Sequence, residues 1–150
     1  MERDTMVSKQ KLAWCLLILR MGIATVFTMW TIDKFINPSH AAAVFERFYQ
    51  LSGLTSEITY AIGVAQSVLI LAFLLGLFRT FSYGAILILH AISTVSSYMK
   101  YIDPWTYPNL LFFAAIPMLS ACIVLWVLRT YDTYTLDVWR TTAKIDQGAD

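Results

Sequence analysis

Little in this chain is charged. Asp, Glu, Lys and Arg make up 14% of its 150 residues, where an average soluble domain carries about 25%. With 58% apolar residues and a mean hydropathy of +0.61, that shortage excludes a water-soluble globule of this length, because short chains bury the smallest share of their surface. It excludes a disordered chain as well. A net charge of +1 offers no basic field, so no nucleic-acid partner is expected. Cysteine is rare: Cys15 and Cys122 are the only two and form no Cys-x-x-Cys pair. Neither a disulfide scaffold nor a dithiol redox site is therefore expected. The two histidines, His40 and His90, fall in a loop and a span, whereas a bis-imidazole haem needs two on facing helices. No His, Cys or carboxylate cluster has metal-ligand spacing, so no metal and no cofactor of its own is expected.

What the chain has instead is long apolar sequence. A transmembrane helix needs about 20 such residues. Four segments qualify, at 12–32, 58–78, 81–99 and 107–128, and of their residues only Arg20 is charged. Continuous apolarity without alternation argues for helices over barrel strands. The expected fold is therefore all-α, a single membrane domain over 1–150 built as a bundle of four transmembrane helices. The first span lacks a small-residue cleavage site and is read as a mature helix. Basic residues orient the bundle. Arg3, Lys9, Lys11, Arg79, Arg129, Arg140 and Lys144 fall on one side, and Lys34, Arg47 and Lys100 on the other. The positive-inside rule then places both termini in the cytoplasm.

The connections differ in length. Arg79 and Thr80 alone separate the second and third spans, which predicts a tight antiparallel hairpin. A short turn with Asp103-Pro104 joins the third to the fourth. Between the first two spans lie 25 residues, Asp33 to Glu57, too many for a plain turn. Within them Ala43, Val44, Phe45, Phe48, Tyr49 and Leu51 recur at helical spacing. A short amphipathic helix over about 39–52, capped by Ser39, is predicted on the outer surface. It is either an ordered cover or the roof of a ligand cavity. Residues 1–8 and 143–150 are expected to fray, and Pro117 to kink the fourth span.

Polar groups in hydrocarbon are expensive, so they point to sites or to packing glue. Arg20, Gln66 and His90 each lie nine or ten positions inside a span, which places all three near mid-depth in one layer. As glue, Arg20 donates to Gln66, to carbonyls and to a hydroxyl such as that of Thr94. As a site, the three hold an anion, a quinone or a lipid. No carboxylate shares the depth of Arg20, so its charge is left without an internal partner. A second polar group, Asp33, Lys34, Glu57, Lys100, Asp103 and Asn109, gathers at the outer rim. It reads either as solvated helix ends or as the mouth of a cavity. Cys15 and Cys122 read as small apolar residues.

Three motifs carry a family resemblance: Leu19-Arg20-x-Gly22-x₄-Phe27 followed by Asp33-Lys34-Phe35; Leu75-Gly76-Leu77-Phe78-Arg79-Thr80; and Tyr131-Asp132-Thr133-Tyr134-Thr135-Leu136-Asp137. With four spans and a long first outer loop, the chain resembles small DoxX-like and DoxD-like membrane proteins. It departs from their pattern at Ala24, Thr31 and Gln66, the last where an acidic residue is common. The resemblance implies a bacterial inner membrane, and an accessory subunit of a respiratory or quinone-linked redox complex. The expected partners are other membrane subunits and lipid. The alternatives it leaves open are a subunit of a thiosulfate:quinone oxidoreductase, with quinone near Arg20 and His90, and a small transporter.

Overall fold

The computed structural model describes residues 8–147, whose regular elements are all helical with no strand among them. Helix α1, Lys9–Ile36, opens on Ser8, whose Oγ accepts from the Lys11 N–H at 3.2 Å. It closes at Asn37, because the residue before a proline is pushed out of helical geometry. Pro38 then starts α2, Pro38–Tyr49, and occupies the first-turn position where a missing N–H costs nothing. The expected Ser39 cap is thus displaced by Asn37 and Pro38, and α2 ends at Gln50 in a left-handed conformation. Ser8 and residues 143–147, expected to fray, belong to the α1 cap and to the last helix; the other expected frayed positions lie outside the described residues.

Helix α3, Ser56–Leu75, begins at the Thr55 cap and stops at Gly76, which adopts φ +65°. The Leu77 N–H closes back on the Ala72 carbonyl at 2.8 Å, a helix stop that glycine favours. Glycine is needed there for a second reason. A Cβ on Gly76 would lie 2.5 Å from the Thr135 side chain and 2.8 Å from the Arg20 guanidinium. Helix α4, Arg79–Ser96, starts immediately afterwards, so α3 and α4 form the expected hairpin. The short α5, Tyr98–Ile102, leads to a 3-10 segment, Asn109–Ala114, that runs into α6, Ala115–Val127. The fourth apolar stretch is therefore wound in two ways, with Pro117 placed in the first turn of α6, where a proline is tolerated. A 3-10 turn at Arg129–Tyr131 leads to α7, Leu136–Gln147.

Three helices are long and apolar enough to cross a membrane by length and composition: Lys9–Ile36, Ser56–Leu75 and Asn109–Val127. The span expected over 81–99 falls on the 18-residue α4, where Arg79, His90 and several hydroxyl side chains dilute the apolar sequence.

α1 packs most closely on α3 and α4 on α6, with α3–α4 joining the pairs and a looser α1–α6 edge. The Phe35 ring lies against Gly63, and the Arg20 guanidinium against Gly76, so α1 and α3 run antiparallel. The buried core comprises Leu16, Ile23, Ala24 and Phe27 of α1, Ile70 and Phe73 of α3, Tyr83 and Ile86 of α4, and Cys122 and Leu125 of α6. Most of it lies in the half of the bundle where α1 begins and α6 ends, with Ile23, Ala24 and Phe27 reaching past the middle of α1. The other half lies beneath α2.

Candidate functional site

Arg20 is 2% exposed and its guanidinium is spread over three acceptors. Nη1 donates to the Tyr83 hydroxyl at 2.8 Å and to Asp132 Oδ2 at 2.9 Å, and Nη2 donates to the Tyr134 carbonyl at 2.6 Å. The Tyr83 hydroxyl also donates to Asp132 Oδ2, at 2.8 Å. Asp132 is fully buried, so the internal carboxylate that Arg20 was expected to lack comes from beyond the fourth apolar stretch. The segment 129–138 folds back onto the bundle end to deliver it. Arg79 fastens this segment by donating to the carbonyls of Arg129 at 3.0 Å and Asp132 at 2.8 Å. Asp137 in turn accepts from the N–H groups of Phe78 at 3.1 Å and Arg79 at 3.0 Å. It caps α4 from 58 residues away, where a negative charge meets the positive end of the helix dipole. Arg20 Nε and Asp132 Oδ1 have no partner among the described residues.

Gln66 and His90 stand elsewhere. The contacts of Phe35 with Gly63 and of Arg20 with Gly76 put Gln66 near the level of Thr31, about 16 Å along α1 from Arg20. Across the hairpin, Phe73 packs edge-on against Tyr83 at 5.0 Å. Gln66 lies seven residues back from Phe73 and His90 seven on from Tyr83, so these two do share a depth. Of the expected three-residue layer, Gln66 and His90 remain. Arg20 is tied into the bundle end, because its charge is better matched by Asp132 than by a neutral amide and imidazole.

His90 Nε2 donates to the Ala115 carbonyl at 3.0 Å, and the ring stacks on Trp30 with centroids 5.9 Å apart. A carbonyl only accepts, so Nε2 carries the proton and Nδ1 is a bare acceptor. That Nδ1 is buried without a partner among the described residues, as is Gln66 Oε1.

Two cavities flank this layer. One, of about 710 Å³, lies between α1, α3 and α4 and is roofed by α2; Phe27, Trp30, Lys34, Phe45, Phe48 and Gln66 are among its walls. The other, of about 770 Å³, lies along the α1–α6 edge and is walled by Ile18, Gly22, His90, Ala115 and Met118. Trp30, Ser93, Ser97 and Phe112 line both. Both volumes fall within the range of small-molecule sites. Gly22 opens onto free space, with nothing within 4 Å of where a Cβ would sit. Cys15 lines the second cavity, and Cys122 is buried in the core.

The outer rim is not one ring. Asp33 Oδ2 lies 2.7 Å from His40 Nδ1 of α2, pinning the roof to the end of α1. Lys34 folds back so that Nζ donates to the Trp30 carbonyl at 3.0 Å, with the Phe45 ring 5.8 Å away. Glu57 is exposed in the first turn of α3 and walls neither cavity. Asn109 is buried but turned to the Asp103 carbonyl at 2.8 Å, and Lys100 sits over the Phe112 ring. Of the rim residues, only Asp33 and Lys34 reach the roofed cavity.

Sequence reasoning missed Tyr83, Asp132, Trp30 and Phe45. For Asp132 a signal existed: a lone acid between tyrosines just past the last apolar stretch, in a chain with one unpaired intramembrane arginine. Among the described residues no three His, Cys, Asp or Glu side chains are placed to hold a metal ion. Comparison of the chain with protein-family models, curated proteins and solved structures finds no match.

Proposed function

We propose that this is a four-span integral membrane protein, without a redox centre of its own, that holds an amphiphilic molecule of the quinone or lipid class. It does so in the α2-roofed cavity, as an accessory subunit of a larger membrane redox complex. Three apolar helices support the membrane setting. The tight α3–α4 hairpin supports the fourth span, since a helix returning alongside a spanning partner must itself cross. Outward-facing Ile88 and Val95 on α4, at 59% and 69% exposure, suit contact with lipid. Seven basic residues on one side against three on the other favour cytoplasmic termini. The bacterial inner membrane and the redox complex come from the DoxX-type resemblance.

The observation that carries the ligand reading is the roofed cavity of about 710 Å³ with Gln66 in its wall. Its carboxamide makes no hydrogen bond to any described residue, and its Oε1 is buried. A polar group in hydrocarbon without a partner costs free energy unless something supplies one. A quinone held between Arg20 and His90 is less well supported. Arg20 is engaged by Asp132, and Tyr83 in that network lies seven residues, about two turns, from His90.

Purification from native membranes in mild detergent, with mass spectrometry of everything retained, tests the proposal. The expected result is a bound quinone or lipid together with a cytochrome- or flavin-bearing complex. A protein that migrates alone and carries no amphiphile would overturn it.

A further inference from the structure

The bundle contains two buried cations that are treated differently. Arg20 has a carboxylate at 2.9 Å. Lys34 is 8% exposed and has no carboxylate within 4 Å among the described residues. Its neighbour Asp33 is turned to His40 instead. Of the three N–H bonds of the Lys34 ammonium, one goes to the Trp30 carbonyl, and the face of Phe45 covers another side. A buried charge left in this state is costly, and an opposite charge is the strongest remedy.

Depth makes the second point. Lys34 folds back one turn to reach the Trp30 carbonyl, which brings its ammonium down toward the level of Gln66, whose buried Oε1 has no partner among the described residues, in the same cavity wall. Most of the wall around the pair is apolar or aromatic, with Phe27, Val44, Phe48, Leu69, Leu89 and Ile92, while Asp33 and His40, which also line it, are turned to each other at 2.7 Å. One cation, one amide donor and an apolar chamber select a ligand with a compact anionic head and an apolar chain.

Building on the ligand-binding reading above, we propose that the roofed cavity takes a single-chain amphiphilic anion of the fatty-acid class. Its carboxylate accepts from Lys34 Nζ and Gln66 Nε2. Its chain lies against Phe27 and Leu69 and passes Trp30 toward the α1–α6 cavity, which shares that wall. Phe45, over the ammonium, makes α2 the roof of the headgroup as well as of the chain. The transferable chemistry is charge capture at an apolar mouth, which a neutral head of the same length does not satisfy.

The test titrates oleate and oleyl alcohol into the detergent-solubilised full chain, read by native mass spectrometry. Oleate is expected to bind about tenfold or more tightly than the alcohol, the scale of one charge-assisted hydrogen bond. Lys34→Met is expected to remove that preference, and Lys34→Arg to keep it. Equal binding of oleate and alcohol to the wild type, or undiminished oleate preference in Lys34→Met, overturns the anionic head while leaving an apolar ligand site in place. Binding of neither probe overturns the cavity reading itself. If Lys34→Met fails to fold, the wild-type comparison of the two probes decides.

Discussion

The two halves of the bundle solve the same problem in opposite ways. Where α1 begins, the interior is filled with Leu16, Phe73, Tyr83, Ile86 and Leu125, and the charge of Arg20 is matched by Asp132. Beneath α2, the interior is hollow, and Lys34, Gln66 and His90 keep polar atoms that no described residue uses; the α1–α6 cavity runs from Trp30 to Cys15 along the edge of both halves. A membrane helix bundle gains little from the hydrophobic effect between helices, so packing and polar contacts must hold it together. The filled half supplies those contacts, which frees the hollow half to leave its own unsatisfied. Stability and binding are thereby assigned to different ends of the same helices.

Substitutions break this contrast in order of size. Asp132→Ala leaves Arg20 buried and uncompensated, and is expected to cost about 3–5 kcal/mol, read as a large fall in the thermal midpoint in detergent. Gly76→Val forces a branched side chain into φ +65° against Thr135, with an expected cost of about 1–3 kcal/mol by the same measurement. Asp137→Ala removes the long-range cap of α4 and is expected to cost about 0.5–2 kcal/mol. The hollow half is expected to answer differently. Gln66→Leu removes an amide with no partner among the described residues, so stability is expected to change by less than about 1 kcal/mol or to rise, while ligand retention falls. Gly22→Phe points into open space and is expected to leave the midpoint unchanged while shortening the longest chain that binds. A midpoint loss for Gln66→Leu as large as that for Asp132→Ala would erase the distinction between the halves.

Much of the helical layout was legible because continuous apolar runs and a two-residue gap leave few alternatives. The amphipathic spacing from Ala43 to Leu51 announced α2, which lies at Pro38–Tyr49. Gln66, counted nine in from Ile58, and His90, counted ten in from Phe81, do share a depth, because the hairpin ties α3 to α4 within three residues and keeps the two spans in register. Arg20 was placed wrongly because its depth was counted from the start of an apolar run. α1 is 28 residues long and extends past that run at both ends, so the count carried no register with α3. Asp132 was illegible as a partner because it follows the apolar stretch, and nothing in local spacing says that 129–138 turns back. Lys34 read as a rim charge because a lysine near a helix end ordinarily reaches outward. Here it bends inward along its own helix to the Trp30 carbonyl, a choice that depends on the roof above it.

The most direct test is native mass spectrometry of the chain purified from membranes, wild type beside Ala65→Phe, which fills the roofed cavity from its α3 wall. The wild type is expected to retain about one amphiphile per chain, and Ala65→Phe to lose it at an unchanged thermal midpoint. Equal retention by both, or an empty wild type, would contradict the assignment of binding to the hollow half.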